Sequence, residues 1–63
     1  MRRIDYYTER ILVEMTIVDT VLFNCTLQNC RLEHCLVVYC KLKNTVRKEC
    51  DCINCKIEDG NSI

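Results

Sequence analysis

A chain of 63 residues with nine basic and nine acidic side chains carries no net charge. That balance argues against both a strongly basic nucleic-acid surface and a strongly acidic mimic of one, and no run of like charge appears beyond Lys41, Lys43, Arg47 and Lys48. Seven cysteines, a single glycine and no proline leave few hairpin turns, and the odd cysteine count does not close a disulfide frame. At this length burial on folding is marginal, so both ends of the fold are expected to be covered, at least one by another chain.

Residues 1–14, MRRIDYYTERILVE, open the chain as an expected N-terminal cap. Ile4, Tyr7, Ile11, Leu12 and Met15 suit a short amphipathic helix, and the β-branched and aromatic content equally allows a capping strand. Arg2 and Arg3 precede Ile4 and Asp5 rather than a long apolar run, so no secretory segment is expected. The longest apolar stretch, residues 35–40, is far too short to span a bilayer. The expected setting is cytoplasmic or particle-associated, and reducing.

Residues 15–59 are organised by a period of five. Cys25, Cys30, Cys35, Cys40, Cys50 and Cys55 occupy one phase, with Thr20 and Thr45 on the same grid. Two residues further lie Leu12, Ile17, Leu22, Leu27, Leu32, Val37, Leu42, Arg47, Cys52 and Ile57, of which eight in ten are large aliphatics. Two residues further again run Glu14, Asp19, Asn24, Asn29, His34, Tyr39, Asn44, Glu49, Asn54 and Asp59.

Neither a helix nor a flat strand repeats every five residues, so the period marks a repeat architecture. The small and large apolar positions are two apart and project to one side of an extended segment. The polar column turns the chain, because Asn and Asp tolerate left-handed backbone and bond their own main chain. Four such sides would close a square coil of about twenty residues, stacked on the next at about 4.8 Å.

These segments, NCTL, NCRL, HCLV, YCKL, ECDC and NCKI, resemble the pentapeptide-repeat family over residues 15–59. The resemblance implies a right-handed quadrilateral parallel β-helix, here of about two to three square coils, with cysteine in the family's alanine column. The family's frequent Asp or Asn after the small residue is met only by Asp51. Residues 60–63 carry no pattern and are expected to fray.

The cysteines admit three readings. A disulfide frame is disfavoured by the odd count and the absence of a secretory segment. A metal site would centre on Cys50, Cys52 and Cys55, with Cys30, expected to stack under Cys50, or His34 as a fourth ligand. The regular grid favours the third reading, in which free thiols serve as small buried hydrophobes, as threonine at two grid positions also suggests. The inward column is then Cys25, Cys30, Cys35, Cys40, Cys50 and Cys55.

No catalytic residue or cofactor is expected. His34 lies on the polar corner column, with Cys35 pointing the other way, which does not make a Cys–His nucleophile. The sole glycine, Gly60, forms no phosphate loop. Arg47 interrupts the aliphatic column, and either a bulge puts Val46 in its place or its stem snorkels outward.

The informative outward positions are apolar. Val18, Val21, Phe23, Leu36, Val38 and Tyr39 are expected to form a packing surface for another subunit. The function expected from sequence is a non-catalytic structural module: a β-helical plug or docking piece in a homo-oligomer or a larger assembly, such as a viral or phage particle. No nucleic-acid, membrane or small-molecule partner is expected. The alternative is a metal-binding or thiol-buffering protein built on the C-terminal cysteines.

Overall fold

Each five-residue unit folds as a short strand followed by a corner. Every fifth residue from Glu9 to Asp59 has positive φ, between 49° and 56°, so the polar column of the sequence is the column that turns the chain. A single left-handed residue between extended neighbours bends the backbone sharply. Six of the eleven corner residues are Asn or Asp, and the others are Glu9, Glu14, His34, Tyr39 and Glu49.

The computed structural model describes residues 5–62. Twelve strands succeed one another with no helix among the described residues: β1 Asp5–Thr8, β2 Ile11–Val13, β3 Thr16–Val18, β4 Thr20–Phe23, β5 Thr26–Gln28 and β6 Arg31–Glu33, then β7 Leu36–Val38, β8 Lys41–Lys43, β9 Val46–Lys48, β10 Asp51–Ile53, β11 Lys56–Glu58 and β12 Asn61–Ser62. They form three parallel four-stranded sheets, ordered β1-β4-β7-β10, β2-β5-β8-β11 and β3-β6-β9-β12.

The fold is therefore the all-β parallel solenoid expected, with about four turns rather than two to three. The coil is three-sided. Tyr7 pairs with Leu22, Leu22 with Val37, and Val37 with Cys52, a register of fifteen residues rather than twenty. The period of five fixes the length of a side. How many sides close is set by the bend at each corner, and here three corners bring the chain back over its start.

The core is the stack of inward columns. Leu12, Ile17, Leu22, Leu27, Leu32, Val37 and Leu42 are buried together with Cys25, Cys30, Cys35 and Cys40, and Tyr7, Cys50, Cys52 and Cys55 pack against them from the two ends. Thr20 and Thr45 are buried on the cysteine grid. A fully buried Leu or Val contributes about 1.5–3 kcal/mol; of the two central coils one holds three, Leu22, Leu27 and Leu32, and the next holds Val37 and Leu42 with Arg47 in the third place.

The segment expected to cap the N-terminus joins this pattern: β1 pairs with β4 and β2 with β5 in the common register. Arg10, in the slot that small residues fill elsewhere, lies with its guanidinium carbon 5.4 Å from the Tyr7 ring centroid, a cation–π contact. Ile4 lies outside the described residues. In the tail, β12 pairs with β9, Asn61 opposite Val46 and Ser62 opposite Arg47, so these two residues extend the third sheet instead of fraying. Ile63 also lies outside the described residues.

Candidate functional site

The cysteine grid has a local hydrogen-bonding role. Each of its thiols or hydroxyls donates to the carbonyl two residues earlier, from Thr20 to Val18 at 2.9 Å, through Cys40 to Val38 at 3.2 Å and Thr45 to Lys43 at 3.1 Å, to Cys55 to Ile53 at 3.4 Å. Several thiols also approach a carbonyl of the preceding coil, as Cys30 does Leu12 at 3.4 Å and Cys35 does Ile17 at 3.5 Å. The Cys25 amide in turn donates to the Cys40 sulfur at 3.3 Å, and the Cys35 amide to Cys50 at 3.4 Å. Cysteine and threonine are interchangeable here because either supplies a small body and one donor.

All seven cysteines are free thiols. Burial pushes the Cys40 thiol up to about 11 and also raises Cys35 and Cys52, the last against a lowering pull from Arg47. These shifts favour the protonated, unreactive form.

The fifteen-residue register redistributes the ligand set considered for a metal. Cys50 stacks on Cys35, whereas Val46, next to Thr45, bonds the Cys30 carbonyl, so Cys30 stacks on Thr45 and not on Cys50. His34 stands on an outer corner, its Nε2 2.9 Å from Glu49 Oε2 and 3.9 Å from Glu33 Oε1. Among the described residues no three His, Cys, Asp or Glu side chains are arranged to hold a metal ion.

Arg47 keeps its place in the inward column opposite Leu32, without a bulge. Its Nη1 lies 4.0 Å from the Cys52 sulfur, and its buried Nε has no hydrogen-bond partner.

The three outer faces differ in chemistry. The second sheet presents Ile11, Thr26, Lys41 and Lys56 in one column and Val13, Gln28, Lys43 and Glu58 in the other. The third carries Arg31 and Val46 beside Glu33 and Lys48. The first sheet is the exception: its columns are Tyr6, Val21, Leu36, Asp51 and Thr8, Phe23, Val38, Ile53. Six of these eight side chains are apolar or aromatic, and Asp51 alone is charged.

On this face Tyr6 is 71% exposed, Ile53 48%, Phe23 41% and Leu36 37%, with Tyr39 on the bordering corner 55% exposed. The Phe23 and Tyr39 rings meet edge to face at 5.8 Å between centroids and 79° between planes. Together with half-buried Val21 and Val38, these residues present on the order of 600 Å² of surface, the upper end of what a typical monomer carries in one patch.

Of the six residues expected to form a surface, the structure brings five together, Val21, Phe23, Leu36, Val38 and Tyr39. Val18 sits on the third sheet, opposite Glu33. Tyr6 and Ile53 belong to the face and were missed, because a square coil places neither in register with the others; their recurrence fifteen residues from Val21 and Val38 is the signal that finds them.

Fold and surface together define a cysteine-stacked parallel β-solenoid with one apolar face. No family model and no curated protein matches the chain.

Proposed function

We propose that this chain is a non-catalytic interaction module: a short β-helical subunit that docks through the outer face of its first sheet within a homo-oligomer or a larger protein assembly. The observation that carries the reading is the contrast between faces. The second and third sheets direct charged side chains outward, as a surface in contact with water does, whereas the first aligns Tyr6, Val21, Leu36, Phe23, Val38 and Ile53 in two adjoining columns. These residues are not needed for the core, which is complete on the inner side of the same strands. A large aligned apolar patch on an outer face marks an association site.

The five-residue unit with its inward aliphatic and small columns supports kinship with the pentapeptide-repeat proteins. The three-sided coil departs from the quadrilateral coil that the resemblance implies, so the proposed kinship extends to the unit and not to the coil.

Phe23→Glu and Val38→Glu place a carboxylate in the middle of the face without touching the core. Sedimentation velocity over roughly micromolar to millimolar concentrations should show association for the parent chain and its loss in both variants. Lys43→Glu, on the second sheet, should leave it intact. A particle size unchanged by the first two substitutions would sink the reading.

A further inference from the structure

We propose that the occupant of the apolar face is a second copy of this chain, packed face to face about a twofold axis parallel to the strands, so that the two solenoids run antiparallel. The inference rests on the docking reading above and adds the partner's identity and orientation.

Two twofold arrangements put the face against itself with the strands of the two sheets aligned. An axis along the strands keeps each column opposite its own counterpart and reverses the order of strands. Tyr6 then faces Asp51 of the second copy, Val21 faces Leu36, Phe23 faces Val38 and Thr8 faces Ile53. An axis along the solenoid instead puts one column opposite the other, pairing Tyr6 with Thr8, Val21 with Phe23, Leu36 with Val38 and Asp51 with Ile53.

In both arrangements every pair sets a larger side chain against a smaller one, which facing sheets about 10 Å apart require in order to interdigitate. The face is thus self-complementary in size. The area agrees: two copies would remove roughly 1,200 Å² from water, the lower edge of a standard specific interface. Near the middle of the face there is no charge, so two copies meet without like-charge repulsion and with nothing to select an oppositely charged partner.

Asp51 chooses between the two. With the axis along the solenoid, its carboxylate is desolvated against Ile53, and the second copy's Asp51 lies at the same level, an uncompensated burial of charge. With the axis along the strands, it meets Tyr6, which is 71% exposed, and the phenol can donate to the carboxylate. Symmetry makes this charge-assisted hydrogen bond twice.

Isotope-filtered NOE spectra of a mixed labelled and unlabelled sample of the intact chain test the arrangement. Contacts between copies are expected from the Phe23 ring to Val38 methyls and from Val21 to Leu36, and Tyr6→Phe should weaken the dimer by roughly tenfold or more while leaving the fold unchanged. Contacts between copies from Val21 to Phe23 and from Leu36 to Val38, with Tyr6→Phe neutral, would overturn the antiparallel arrangement and leave the docking reading standing. A chain that stays monomeric at millimolar concentration would overturn the second copy as occupant. Association unaffected by Phe23→Glu would overturn the docking reading itself.

Discussion

Replacing Arg47 with leucine should stabilise the protein, because among the described residues Arg47 is the one charged side chain in the inward aliphatic column. It stands opposite Leu32, which is fully buried, and its own Nε is buried without a hydrogen-bond partner. A buried donor left unpaired costs about 1–3 kcal/mol. The guanidinium recovers little through its 4.0 Å contact with the Cys52 sulfur, since sulfur is a weak acceptor.

Arg47 is only half-buried, so the lower half of that range applies. Leucine adds about 1 kcal/mol of apolar burial by continuing the column from Ile17 and Leu32. The expected gain is about 2 kcal/mol, which for a domain of this size raises Tm by roughly 8–16 °C. Urea unfolding followed by far-ultraviolet circular dichroism in reductant should show a higher midpoint with an unchanged slope. Arg47→Lys, which keeps a charge in the column, should show no gain. A midpoint for Arg47→Leu at or below that of the parent would refute the reasoning, and would mean that the guanidinium is better paired than its geometry indicates.

Two further outcomes are expected. At the corners, Asn29→Ala should cost about 1 kcal/mol and Glu14→Asn should recover somewhat less, because Asn29 and Glu14 are held at φ 56° and 53° and left-handed backbone disfavours residues other than Gly, Asn and Asp; thermal melts of the two variants measure both. At alkaline pH the raised Cys40 thiol predicts loss of stability: folded and unfolded chains are both protonated below its ordinary value of 9.0, and between there and about 11 the unfolded chain releases its proton first. Stability is therefore full below pH 9 and falls by on the order of 2 kcal/mol as pH rises towards 11. Cys40→Thr, which copies Thr20 and Thr45 and does not titrate, should flatten urea midpoints measured across that window, and an unchanged slope would contradict the assignment.

The unit of this fold is legible in the sequence because each of its columns has a separate physical job. The aliphatic column fills the core, the cysteine column needs small residues with one donor, and the corner column needs tolerance of positive φ. Glu9, Glu14, His34, Tyr39 and Glu49 occupy corners without the usual chemistry for it, and only their phase identifies them. The number of sides is not a property of any one unit. It depends on the bend made by each corner, so the period of five is equally compatible with fifteen or twenty residues per coil.

What distinguishes the two is the outer surface, where residues one coil apart become neighbours. Counted at twenty, Leu36 falls beside Thr16 and Phe23 beside Lys43. Counted at fifteen, Val21 falls beside Leu36, Phe23 beside Val38, and Tyr6 and Ile53 extend the same two columns. Lys41 falls beside Lys56 and Gln28 beside Lys43. The shorter register therefore gathers like with like on each face, and a zero net charge resolves into one apolar sheet and two charged ones. The same step separates Cys30 from Cys50, and with it goes one of the fourth ligands expected for a metal at Cys50, Cys52 and Cys55. In a solenoid whose inward columns repeat with every five-residue unit, the number of sides to a coil is written on the outside, where residues one coil apart become neighbours.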